Sequence, residues 1–102
     1  MNISEISKKN ADKLGSIVNS LQTIEECGEL IKAICKYNRC FGMGQITEMS
    51  IDEALKNLIE EIADVSICIE QMIYLLCLEE QVKEAREKAF EKVRKRYEKI
   101  YN

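Results

Sequence analysis

The chain of 102 residues has no proline and only four glycines. Proline breaks a helix interior by removing an amide donor and clashing with the preceding turn, so nothing here interrupts helices except glycine and polar turn signals. The length suits one small domain, residues 1–102. Its core is modest at this size, because a short chain buries a smaller share of its surface than a long one.

Residues 3–14 form a short amphipathic segment carrying Ile3, Ile6 and Leu14, and Gly15 is placed to end it in a left-handed cap. Ser16 is a candidate cap for a second helix running to about residue 38. There Ile17, Leu21, Ile24, Gly28, Ile31 and Cys35 recur at spacings of four and three, which is a helix stripe. The pattern lapses over residues 39–50, where Gly42 and Gly44 bracket Met43, so a loop is expected with one short turn near residues 45–49. Ser50-Ile51-Asp52-Glu53 fits a capping box that opens a third helix, reaching about residue 77. Its middle is apolar on nearly every face, which predicts a central position. Apolar density drops at residues 78–81, and a last helix carries Val82, Ala85, Ala89, Val93, Tyr97 and Ile100 on one side to about residue 101. The expected class is all-α, a bundle of four helices.

What the chain lacks limits its chemistry. With no histidine, it has no His-containing zinc site, no Ser-His or Cys-His nucleophile pair and no di-iron centre built on Glu-x-x-His. The five cysteines Cys27, Cys35, Cys40, Cys68 and Cys77 are odd in number and include no Cys-x-x-Cys pair. Four fall in apolar helical stretches, so they read as reduced, buried thiols of a cytoplasmic protein, with a disulfide framework or a thiolate zinc site as the alternative. No run approaches the roughly 18 apolar residues of a bilayer span, and charged residues precede any apolar run at the N-terminus, so neither a membrane segment nor a secretory signal is expected.

Net charge is −3. From Val82 onward eight Lys or Arg face four Glu, a local +4, so the remainder carries −7. The basic end reads either as a solvated face or as a surface that docks on an acidic site or bound anion. Its basic residues alternate with glutamates in a chain of negative net charge, which argues against nucleic-acid binding.

Two acidic clusters sit on the two long helices, Glu25-Glu26-Cys27-Gly28-Glu29 and Glu60-Glu61-Ile62-Ala63-Asp64. Glu26 with Glu29, and Glu61 with Asp64, are i, i+3 pairs, so each helix presents two carboxylates on one face. If the helices pack antiparallel with these faces opposed, four carboxylates converge. Such a cluster is costly without protons or a cation. Oxygen-only ligands favour magnesium, manganese or calcium over zinc, and magnesium commonly shares its shell with substrate phosphates. Taken singly, the first cluster also reads as an ordinary solvated face and the second as a structural salt bridge with lysines.

Glu25-Glu26-x-x-Glu29 followed by Glu61-x-x-Asp64 resembles the EExxE…ExxD signature of the MazG-like all-α nucleoside triphosphate pyrophosphohydrolases. Gly15, Gln22, residues 25–39 and residues 60–65 are similar to the small phage-type members, and the likeness covers about residues 15–71. The resemblance implies a four-helix, bundle-like MazG-type fold assembling as a homodimer or homotetramer. The activity it implies is NTP + H2O → NMP + PPi, serving nucleotide-pool house-cleaning. Glu26, Glu29, Glu61 and Asp64 would bind Mg2+, with Mn2+ a possible substitute, and Glu25 would assist as ligand or base. Lys32 and Lys36 are candidate phosphate contacts by their positions beyond Glu29. The family's Lys and Arg pair on the last helix makes Lys88, Lys92 and Arg96 candidates as well. Tyr37, Phe41 and Tyr74 are available to stack on a base, although core packing is the commoner role, and the loop of residues 39–49 would border the base. The sequence departs from the family after Gln71, where Leu78-Glu79-Glu80-Gln81 replaces a glycine-containing turn. The competing reading is a non-catalytic helical interaction or regulatory module whose acids form salt bridges.

Overall fold

A computed structural model describes residues 1–42 and 48–101. Among them there are three helices and no strand: α1 (Ile3–Arg39), α2 (Ile51–Leu75) and α3 (Glu79–Tyr101). The chain is all-α, with three helical elements where four were expected. The difference lies at Gly15, whose φ of 83° and ψ of 170° interrupt α1 without ending it. That conformation is essentially reserved for glycine, so the expected break is present as a kink between two collinear-in-sequence helices. The expected turn near residues 45–49 falls largely outside the described residues.

The starts of α1 and α2 follow from their caps. Asn2 accepts from the Glu5 amide at 2.8 Å through its side chain, and the Glu5 carboxylate accepts the Asn2 amide at 3.3 Å, a full capping box. Ser50 Oγ accepts the Glu53 amide at 3.2 Å, the first half of the box expected there. α2 ends in a Schellman motif: the Leu78 amide donates to the Ile73 carbonyl at 2.9 Å and the Cys77 amide to that of Tyr74 at 3.2 Å. Cys77 occupies the left-handed position with φ 54°, where glycine is the usual occupant. The turn thus forms one residue before the Leu78–Gln81 stretch, and α3 is a separate helix.

α1 and α2 pack along most of their length, whereas α3 meets only α2 and has no buried residue. The buried apolar set is small: Ala11, Ala33, Ala54, Val65 and Cys68. Asn19, Thr23 and Gln71 are buried beside them. Three alanines at this seam bring the two helix backbones close, which leaves no room for large side chains between them.

The apolar stripe of α1 lies elsewhere. Ile17, Leu21, Ile24 and Ile31 are 77%, 62%, 70% and 62% exposed. At 100° per residue they stand on the side of α1 opposite Asn19, Thr23 and Ala33, so the stripe faces away from α2. α2 is central in that it alone touches both other helices, yet Ile59, Ile62, Ile67 and Ile69 are exposed. The cysteines are all free, as expected, but only Cys68 is buried; Cys35 and Cys77 are exposed.

The segment before the kink is tied to the far end of α2. Gln71 Nε2 donates to the Ser7 carbonyl at 3.1 Å and the Tyr74 hydroxyl to Asp12 at 2.8 Å, while the Lys8 ammonium sits 5.5 Å from the Tyr74 ring centre. Tyr74 is therefore a tether for the N-terminal arm.

Two substitutions at the breaks should act in opposite directions. Gly15→Ala forces a Cβ into a glycine-only conformation and is expected to cost about 1–3 kcal/mol. Cys77→Gly relieves a left-handed non-glycine residue and is expected to add about 1 kcal/mol. Urea denaturation followed by circular dichroism measures both; a stability order other than Cys77→Gly above wild type above Gly15→Ala contradicts the backbone account.

Candidate functional site

On α1, the side facing α2 is read by Asn19, Thr23, Glu26 and Ala33, at intervals of four, three and seven residues. This polar file runs along the seam. Thr23 Oγ1 donates to the Asn19 carbonyl at 2.7 Å, and Asn19 Nδ2 crosses to the Cys68 carbonyl of α2 at 3.3 Å. Asn19 Oδ1 is buried without a hydrogen-bond partner. One turn beyond Thr23, the same side of α1 carries Glu26.

The α2 side answers with Glu61 and Asp64, two turns and one turn before Cys68. Glu26, Glu61 and Asp64 each offer a carboxylate oxygen, and the three oxygens lie within 4.8 Å of one another. Glu26 and Glu61 are half-buried and Asp64 is exposed. Glu61 Oε2 is buried and has no hydrogen-bond partner. A carboxylate oxygen withdrawn from water with no donor is an unfavourable arrangement for the ionised form.

The electrostatics follow from that placement. Burial, then the charges of Glu26, Asp64, Glu29 and Glu60 in that order, push the Glu61 carboxyl above its ordinary 4.5. The Cys68 thiol is also pushed up, first by burial and then by Glu26 and Asp64. Both shifts express one cause, negative charge gathered at a partly desolvated seam.

Glu29 stands outside the trio. Its Oε1 accepts from Lys32 Nζ at 3.4 Å along the same helix, although its charge is still felt at Glu61. Glu25 lies exposed on α1, a turn of 100° from Glu26. Lys32 is thus engaged with Glu29, and Lys36 is half-buried in the last turn of α1. Lys88, Lys92 and Arg96 are exposed on α3, and among the described residues no ion pair joins them to the acids. The ion pairs of α3 are internal, Arg94 spanning Glu91 and Glu98. Tyr37 and Phe41 pack edge to face, with ring centres 5.1 Å apart.

Asn19, Thr23 and Gln71 are the seam residues that spacing of apolar positions overlooks. Their signal was available: Asn19, Thr23 and Glu26 repeat at i, i+4, i+7, a polar file on the side of α1 opposite its apolar stripe.

Comparison of the chain with known protein families, with curated proteins and with solved structures finds no match. No helix among the described residues is long and apolar enough to cross a membrane.

The raised Glu61 pKa has a defined sign. An acid whose folded-state pKa exceeds its unfolded value holds its proton more tightly when folded. The stability this confers is present below the ordinary 4.5 and is lost as pH rises through the folded value. Above the folded value the ionised group is therefore a net burden on the fold. Glu61→Gln, measured in chelator, is expected to melt higher than wild type at neutral pH, with the gap closing in acid. An equal or lower melting temperature at neutral pH would contradict the convergence of charge on Glu61.

Proposed function

We propose that the protein is a Mg2+-dependent nucleoside triphosphate pyrophosphohydrolase, cleaving NTP + H2O to NMP + PPi in the cytoplasm as a homo-oligomer. The observation that carries this reading is the meeting of three carboxylate oxygens from two helices within 4.8 Å, one of these carboxylates having a buried oxygen that lacks a donor. The EExxE…ExxD resemblance supplies the reaction.

The donor set fits a hard divalent cation. It is all oxygen, it is anionic, and it contains a buried acceptor with no hydrogen to receive. Glu26, Glu61 and Asp64 would hold the ion, with Mn2+ as a substitute for Mg2+. Glu29 would join them on leaving Lys32. An ion held there would supply charge screening of the triphosphate and polarisation of a phosphoryl oxygen.

The chain's own groups have separate tasks. Glu25, exposed beside the trio, takes a proton from the attacking water. Lys32 and Lys36 bind phosphate oxygens from the α1 side. Lys88, Lys92 and Arg96 add to that binding only in an assembly that brings α3 to the acids.

The competing reading, a non-catalytic helical interaction module, draws on the exposed apolar faces of all three helices. Two measurements separate them. Wild type is expected to gain thermal stability in millimolar Mg2+, because a ligand bound only by the folded form stabilises it, and Glu61→Gln should lose that gain. In a panel of canonical, deoxy and oxidised nucleoside triphosphates, pyrophosphate should be the first product. Glu61→Gln should reduce its release by more than the roughly 10–100-fold that loss of an outer-shell partner costs. Melting indifferent to Mg2+ together with no pyrophosphate release supports the module, and orthophosphate as first product overturns the cleavage position.

A further inference from the structure

Glu26, Glu29 and Lys32 follow one another on α1 at intervals of three residues. Each step of three falls about 60° short of a full turn, so the row winds from half-buried Glu26 at the seam out to exposed Glu29 and Lys32. Glu29 thus has two neighbours within reach, a carboxylate one step before it and an ammonium one step after it. It is turned to the second. Lys32 Nζ lies 3.4 Å from Glu29 Oε1, whereas the oxygens that meet across the seam are those of Glu26, Glu61 and Asp64. The charge of Glu29 still reaches Glu61, whose carboxyl it helps to push up, so Glu29 stands beside the trio without belonging to it.

The pair is one that opens easily. The two side chains are 67% exposed at Lys32 and 48% at Glu29, and an ion pair so open to water shifts an equilibrium by no more than about fivefold. A divalent cation at the trio competes for Glu29, because a hard ion gathers carboxylate oxygens. An anionic phosphate oxygen competes for Lys32, whose ammonium carries three donors. Parting the pair once serves both ligands. Whichever arrives first lowers the cost of admitting the other, a coupling that acts equally in both directions.

Granted the cation site proposed above, we propose that Lys32 is a positioning residue that withholds Glu29 from the cation until a phosphate-bearing ligand draws Lys32 away. The Glu29–Lys32 pair then makes the site favour a cation that arrives with phosphate over the bare ion.

Isothermal titration of the full chain at one fixed pH, with Mg2+ alone and with magnesium pyrophosphate as separate probes, tests the coupling. Lys32→Met is expected to bind Mg2+ about two- to fivefold tighter than wild type. It should bind magnesium pyrophosphate about tenfold more weakly, the loss of one charged hydrogen bond. Lys32 also repels a cation by its charge alone, so the same substitution is made in Glu29→Gln. In that background the gain in Mg2+ affinity should shrink to less than about twofold, while the loss of pyrophosphate affinity remains. Lys32→Arg keeps the charge and the reach and should restore the wild-type affinity for Mg2+. An equal gain with and without the Glu29 carboxylate overturns the proposal, as does unchanged affinity for either probe in Lys32→Met. Wild type that takes up no Mg2+ overturns the cation site itself, whereas Mg2+ uptake indifferent to Lys32 overturns the pairing alone.

Discussion

The close approach of α1 to α2 is the constraint on which the rest depends. Ala11, Ala33 and Ala54 are almost wholly buried where the two helices meet, and such small side chains let helix backbones come together. Between them the seam is furnished with polar groups instead of bulk, Asn19 and Thr23 from α1 and Gln71 from α2. Glu26, Glu61 and Asp64 are brought together at this seam. Had Leu or Phe filled the alanine positions, the carboxylates would stand apart, each with its own water.

The same close packing explains how little apolar surface the chain hides. A seam of alanine, valine and cysteine buries few methylene groups, each worth about 0.8 kcal/mol. The larger aliphatic residues therefore accumulate outside: on α1 along Ile17 to Ile31, on α2 at Ile59 and Ile62, and on α3 at Phe90, Val93 and Tyr97. A chain with such a surface leaves much of its apolar area uncovered by its own helices.

Much of this was legible in the sequence, and the illegible part has a physical reason. Caps and breaks are local chemistry, so the left-handed Gly15, the Ser50 cap and the C-terminal end of α1 read directly, although Gly15 kinks α1 where the sequence suggested two helices. The pairing of Glu61 with Asp64, and of both with Glu26, was legible from i, i+3 spacing on the condition that the two helices pack antiparallel with those faces opposed. The side on which α1 packs was not. Periodicity reports that a stripe is apolar but not what covers it, and a seam lined by Ala, Asn and Thr has almost no hydrophobic signal. Glu29 shows the same limit at the scale of one side chain, since its carboxylate chooses between Asp64's neighbourhood and Lys32 one turn along its own helix. Cys77 in the left-handed position was hidden for a different reason: the Schellman bonds of Leu78 and Cys77 fix the turn, and the residue there tolerates what the backbone demands.

The acidic trio is divided between two helices, one carboxylate on α1 and two on α2, and that division has a mechanical consequence. Sliding α2 along α1 by a single turn, about 5.4 Å, would carry Val65 and Cys68 to the level now held by Glu61 and Asp64. The register of α2 against α1 is therefore what keeps the three carboxylates at one level, and α3, which packs only on α2, would travel with any such slide.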